Sequence, residues 1–340
     1  ILLLLGLLYF VNRKTSKRAV AVTVILFVLC SMLGHSGSFA FWETGLTYEG
    51  ESIYNYLQVK EDDRSVILST NVLFGVQSIK MKEDGLTGMY YDYALAAPLM
   101  ADAPGKEKTE ILILGMGTGT YAHQCKKYFG NVAVEGVEID QKITDLAGTY
   151  FDLPSAIPVT TYDGRAFVQA IDKKYDVIMV DAYQDITIPF QMSSAEFFEL
   201  VREHLKEDGV MVVNMNMNSD GAGGINVCLA DTISSVFSNV YTVDVKGATN
   251  RELFASENEN MLTLLSENRK QLSQEELTAM MGQVEDNLMA YESTGELLTD
   301  DKAPVEVLGM RVIDELIQDE IGYYKDIFQE RGLEGLLRSI

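Results

Sequence analysis

The chain has 340 residues, with 27 lysines and arginines against 50 aspartates and glutamates and a net charge of −23. That balance argues against DNA or RNA as main ligand, because a phosphate backbone needs basic surface, and it favours cationic small molecules. A hydrophobic share of 47% excludes disorder as the main state, and three cysteines and three histidines without CxxC or HExxH spacing argue against a disulfide scaffold or a metal site.

Two apolar runs open the chain, ILLLLGLLYFV at 1–11 and AVAVTVILFVLCSMLG at 19–34, with Arg13, Lys14, Lys17 and Arg18 between them. A helix needs about 20 apolar residues to cross a bilayer. The second run approaches that length, and the first reads as the tail of a longer span. Residues 1–34 are therefore expected to be transmembrane segments, the first truncated, of a larger multi-pass protein in the cell membrane. A signal peptide is the alternative. The basic loop falls in the cytoplasm by the positive-inside rule, which would send the remainder outside; nucleotide-like ligands argue for the opposite side, so the side stays open.

Residues 35–89 are expected to form a small antiparallel β domain, with strands at Glu51–Glu61, Ser65–Ser69 and Leu73–Met81. Tyr90–Met100 reads as helix. Residues 90–256 then alternate apolar strands (ILILG, VAVEGVEID, IPVTTYDG, YDVIMVDAY, GVMVVNM) with helical stretches such as Ser194–His204. Uninterrupted apolar runs of that length suit strands buried on both faces, so the expected fold is α/β, a Rossmann-like doubly wound sheet of the S-adenosylmethionine-dependent methyltransferase type. Residues 257–340 read as a polar C-terminal helical segment.

The chemistry gathers at the strand ends. GMGTGT (Gly115–Thr120) follows ILIL and opens a helix, so Gly115, Gly117, Thr118 and Gly119 can bring backbone close to a ligand. About 20 residues on, GVEID ends the next strand, where Glu138 suits ribose hydroxyls; Asp140 is the neighbouring alternative, or a helix N-cap. TYDGRAFV brings Asp163 and Gly164 to a third strand end, where the aspartate can accept from an adenine amino group or cap the next helix. The turn lacks the third glycine of GxGxxG, and no basic residue awaits a 2′-phosphate, so S-adenosyl compounds fit better than NAD(P). Asp181 opens DAYQD at the end of the fourth strand, and Tyr183 and Asp185 follow it on a loop. His123 reads as a surface or packing residue, and Cys228 as a buried thiol.

SIYNYLQV, GVQS, MYYDYALAAPLM, LGMGTGT, GVEID, YDGRAFV, DVIMVDAY and IPFQMSSAEFFELVREHLKEDGVMVVN, in this order, together with LTDDKAPVE near 298–306, resemble the spermidine synthase (polyamine aminopropyltransferase) family, especially its membrane-fused relatives. The resemblance implies transfer of an aminopropyl group from decarboxylated S-adenosylmethionine to putrescine, without a metal, in a homodimer. It implies that Glu138 holds the ribose, Asp163 the adenine, and that Gln77 lines the cofactor pocket. Asp181 matches the catalytic aspartate and Tyr90 the motif tyrosine that accompanies it. Tyr91, Asp92 and Asn55 fall on the amine side, Asp92 standing for a family glutamate and Asn55 for a glutamine. Thr118 replaces the aspartate of GGGDGG, and VKGATN (residues 245–250) replaces the PTYxxG segment. These departures keep two other expectations open: a methyltransferase using S-adenosylmethionine, and a non-catalytic nucleoside-binding domain that regulates its membrane part.

Overall fold

The computed structural model describes residues 22, 24–29, 43–70, 75–182, 188–216 and 223–339. Two sheets organise them. Four strands, β1 (Leu46–Glu51), β2 (Tyr56–Glu61), β3 (Ser65–Thr70) and β4 (Ser78–Met81), form an antiparallel meander in the order β1-β2-β3-β4. The eight-stranded sheet runs β12-β10-β11-β9-β8-β5-β6-β7, built from β5 (Thr109–Leu114), β6 (Val132–Glu138), β7 (Val159–Thr161), β8 (Tyr175–Val180), β9 (Leu205–Met215), β10 (Asn239–Asp244), β11 (Arg251–Ser256) and β12 (Met289–Ala290). The five strands from β9 to β7 are parallel. Residues of β8 are buried throughout, as an apolar strand covered by helices on both faces must be.

The crossovers α3 (Thr120–Tyr128), α4 (Gln141–Tyr150), α5 (Gly164–Gln169) and α6 (Ala195–Glu203) return each strand to the same edge, so the ends of β5, β6, β7 and β8 converge. Leu57, Val59, Val66 and Leu68 of the small sheet pack on Ile143, Leu146 and Phe151 of the α4 region, which suspends that sheet above the converging ends. Each fully buried side chain of this kind contributes ~1.5–3 kcal/mol.

Several local expectations are corrected. Glu51–Glu61 is not one strand: Ser52 Oγ accepts from the Tyr54 and Asn55 N–H groups, and that turn closes a hairpin between β1 and β2. The strand expected at Leu73–Met81 is β4 alone, and residues 71–74 lie outside the described set. Tyr90–Met100 is helical but divided into α1 (Tyr90–Ala94) and α2 (Ala96–Met100). Pro98 lacks the N–H that would bond to the Ala94 carbonyl, which accepts instead from the Tyr121 hydroxyl at 3.1 Å. The β10–β11 hairpin adds two antiparallel strands to the expected elements, and neither has a clean period-2 pattern. The C-terminal segment is not purely helical: after α7 (Ile225–Ser234), α8 (Met261–Arg269) and α9 (Glu275–Asn287), the short β12 joins the main sheet before α10 (Val305–Ser339), which Gly332 interrupts.

Among the described residues no helix is long and apolar enough to cross a membrane. The two N-terminal apolar runs lie outside the described set except for residues 22 and 24–29, which are helical with their side chains exposed.

Candidate active site

The small sheet and the converging strand ends enclose a cleft of about 310 Å³. Gln77 and Asn55 face it from the small sheet, Gly115 and Gly117 from the end of β5, and Glu138, Asp163 and Asp181 from the ends of β6, β7 and β8. Three acids in one cleft, in a chain of net charge −23, make a site suited to cations and to ligands rich in hydroxyl and amino donors.

The glycines are required where they stand. Gly115, Gly117 and Gly119 have φ of 88°, 53° and 89°, in the left-handed region. A Cβ on Gly115 would lie 2.4 Å from the Asp181 carbonyl oxygen, and one on Gly117 2.6 Å from Ser78 Oγ. The turn therefore lets β5 close against β8 and against the small sheet together. The Thr118 N–H donates to Ser78 Oγ at 3.2 Å, which ties the turn to β4.

Glu138, 7% exposed, accepts from the Gly117 N–H at 2.8 Å and the Asp140 N–H at 3.0 Å. Burial raises its carboxyl above the usual range, while those two backbone donors pull it back. Asp140 turns away: it caps α4 by accepting from the Lys142 N–H, and its other oxygen accepts from Ser52 Oγ at 2.6 Å and Asn55 Nδ2 at 3.2 Å. The alternatives left open at GVEID thus separate, Glu138 toward the cleft and Asp140 into a helix cap. Asp163 does both jobs, capping α5 through the Ala166 N–H at 2.8 Å while lining the cleft beside Gln191, whose amide donates to it at 3.3 Å. Its helix is clamped from outside by Arg165, which grips Asp300 through two nitrogens at 2.6 and 2.7 Å. Asp300 belongs to the LTDDKAP stretch, and this clamp is its structural use.

At the far end of the cleft the Tyr90 hydroxyl donates to Asp181 Oδ2 at 2.7 Å, and Asn214 Nδ2 donates to Oδ1 at 2.9 Å. Asn250 Nδ2 in turn holds Asn214 Oδ1 at 2.9 Å. Enclosure by protein pushes the Asp181 carboxyl up to about 7; the Asn214 and Tyr90 donors lower it, and the Glu138 charge raises it further. A carboxylate poised near neutrality, with both oxygens oriented, is equipped to take a proton. The Tyr91 ring lies 4.0 Å from that of Tyr90, and its hydroxyl donates to the Gln77 carbonyl at 2.7 Å.

The family profile described as "Spermine/spermidine synthase domain" matches residues 90–242. The "Probable polyamine aminopropyl transferase" of Bifidobacterium longum (strain NCC 2705) is 56% identical over 351 residues, which cover 98% of this chain and 78% of that protein. The chain belongs to the spermine/spermidine synthase family. The polyamine aminopropyltransferase of Hydrogenobaculum sp. (strain Y04AAS1) is 30% identical over 175 residues, covering 49% of this chain and 59% of that relative. Among solved structures, the spermidine synthase of Thermotoga maritima superposes with a TM-score of 0.54 at 20% identity, covering 68% of this chain and 79% of that one, and so shares the fold.

In this member of the family the cleft brings together Asn55, Gln77, Tyr91, Gly115, Gly117, Glu138, Asp163, Gly164 and Asp181, with Tyr90 bonded to Asp181 from behind the lining. Three expected residues are not brought to it. Asp92 is 2% exposed, and its two oxygens accept from the Thr87 N–H and hydroxyl and the Gly88 N–H; it organises the turn before α1 rather than meeting an amine. Thr118 is 1% exposed, outside the cleft lining, and its hydroxyl has no hydrogen-bond partner. Gly119 serves as the N-cap of α3. Tyr183 and Asp185 lie outside the described residues. Sequence reasoning missed Gln191, Asn214 and Asn250. A polar residue inside the apolar run GVMVVNM was the available signal for Asn214; Asn250 stands directly before β11 and 36 residues from Asn214 in the chain, and gave none.

Proposed function

We propose that this chain is a polyamine aminopropyltransferase that moves an aminopropyl group from decarboxylated S-adenosylmethionine to a polyamine such as putrescine. The hydrogen-bonded Tyr90–Asp181 pair, set across one cleft from Glu138 and Asp163, carries the reading. Glu138 would accept from the ribose hydroxyls and Asp163 from the adenine amino group, with the Gly115–Gly117 turn admitting the nucleoside against backbone. That leaves the sulfonium end of the co-substrate directed toward Asp181.

The acceptor arrives as an ammonium and must lose a proton before its nitrogen can attack. Asp181, ionised above about pH 7, takes that proton, and the Tyr90 hydroxyl holds the receiving carboxylate in place. The nitrogen then forms a bond to the methylene carbon next to sulfur, the carbon–sulfur bond breaks, and its electron pair returns to sulfur to give neutral methylthioadenosine. Negative charge nearby stabilises the positive charge as it passes from sulfur to nitrogen.

The test is Asp181→Asn, assayed for spermidine formation and titrated with methylthioadenosine. Removing a general base costs ~10²–10⁴-fold in rate, whereas nucleoside affinity should hold, because Glu138 and Asp163 are untouched. Turnover within a few-fold of the unaltered chain would remove Asp181 from the reaction. We further propose that the domain is held at the cell membrane by residues 1–34 and works as a homodimer; the apolar character of 1–11 and 19–34 supports the first, and the family resemblance the second.

A further inference from the structure

The hydrogen-bond chain at Asp181 does not end the polar cluster on that face of the sheet. Glu252 of β11 is the cross-strand partner of Asn214 on β9, so the two side chains stand on the same face. That face is the one covered by Tyr90, Tyr91, Tyr93 and Tyr121, as the neighbouring Phe254 and Val212 show. Asn250, two residues earlier, reaches Asn214 from the same side. Glu252 is 0% exposed, and neither of its carboxyl oxygens has a hydrogen-bond partner.

An acid without a partner in a sheet interior is costly. An apolar residue of similar size would serve packing better, and the adjacent Leu253, Phe254 and Ala255 are what such a strand ordinarily carries. The groups around it offer no compensation. Asp181 at the β8 end, the Tyr90, Tyr91 and Tyr93 phenols of α1, and Tyr121 and Cys125 of α3 are acidic or neutral, and no described lysine or arginine pairs with it. What this buried cluster behind the cleft lacks is a positive charge.

We propose that Glu252 determines acceptor specificity as a buried countercharge, neutral in the empty site and ionised when the second ammonium group of an α,ω-diamine enters beside Asp181. The inference rests on the aminopropyl-transfer reading for the identity of the acceptor. Burial, and then the Asp181 charge, hold the Glu252 carboxyl well above the usual carboxylate range. A dication that brings one ammonium to Asp181 leaves the other to be balanced, and Glu252 then releases its proton to solvent. A monoamine brings no such charge. The sequence feature is the glutamate of RELFAS, directly ahead of the apolar Leu253, Phe254 and Ala255.

The experiment is calorimetric titration of the full chain, loaded with methylthioadenosine, at pH 8 in two buffers of different ionisation enthalpy. The titrants are putrescine and n-butylamine, and the chains are unaltered, Glu252→Gln and Glu252→Met. The unaltered chain should release about one more proton on binding putrescine than Glu252→Gln does. Putrescine affinity should fall about tenfold or more in both variants, as expected when one partner of a buried charge pair is removed, with butylamine affinity changing far less. Glu252→Met should also melt higher than the unaltered chain, which shows that a loss of putrescine binding is not a loss of fold. Equal losses for the two amines, or an identical proton count in the unaltered chain and Glu252→Gln, would overturn the inference. A parallel assay for spermidine separates the two proposals. Spermidine formation with Glu252 variants that bind both amines normally sinks only this one, and diamine-linked proton release without any product sinks only the transfer reaction.

Discussion

Asp181 carries its chemistry because of what touches it, and that makes its titration a direct probe. Its carboxyl sits near 7, so the proton-accepting form is lost as pH falls. The rate on putrescine should decline about tenfold per pH unit below that value and level off above it. Tyr90 donates to the charged form, so Tyr90→Phe takes away a group that favours ionisation and the acid limb should move to higher pH. A limb that stays put would show that Tyr90 does not set the proton affinity of Asp181. Stability follows the same proton. The folded chain keeps it at pH values where an unfolded carboxyl has lost it, so this residue favours folding in acid and costs stability as pH rises through about 7. The aspartate was legible in DAYQD, since an acid closing an apolar strand stands at a sheet edge. Its neutral-range proton affinity was not legible, because burial by the folded chain raises it and only the Asn214 and Tyr90 donors, 33 and 91 residues away in the chain, hold it back.

At the scale of elements, the decisive object is the turn between β5 and α3. GMGTGT announces a backbone that must enter left-handed conformations, and three of its glycines do so. The sequence offers no view of what presses on them. Gly115 meets the carbonyl of Asp181, so the spacing between the nucleoside turn and the proton acceptor is set by the absence of one methyl group. Gly115→Ala should therefore force the β5 and β8 ends apart at an added strain of ~1–2 kcal/mol from conformation alone. We expect a melting point several degrees lower and weaker methylthioadenosine binding; calorimetry showing unaltered affinity would mean that the turn does not gauge the cleft. The same scale explains Asp92. YYDYALAAP reads as one motif, yet the helix that begins at Tyr90 points consecutive residues in different directions. Tyr90 and Tyr91 go to the site, and Asp92 goes back to the preceding turn.

For the whole molecule, charge and apolar runs divide the chain. The net charge of −23 concentrates cations near a cleft that already holds three acids. The runs at 1–11 and 19–34 lead to the last prediction. In a membrane fractionation the full chain should sediment with vesicles and resist an alkaline wash, and a chain lacking residues 1–34 should stay in the supernatant. Full-length protein in the supernatant would overturn the membrane proposal.

The five apolar strands β5 to β9, the glycine turn and the acids at strand ends were determined by the amino-acid sequence alone, because backbone preference and apolar periodicity act over a few residues and leave local signatures. Which acid faces the ligand was decided by tertiary structure. Glu138 and Asp140 are two residues apart, and only the seating of the small sheet, through Ser52 and Asn55, commits one to a cap and leaves the other to the cleft. The Asp181–Asn214–Asn250 chain and the buried Glu252 belong to the same class, since they exist only where β8, β9 and β11 lie side by side. Electrostatics depends on distance in space and on exclusion of water, and neither quantity is written in the order of residues.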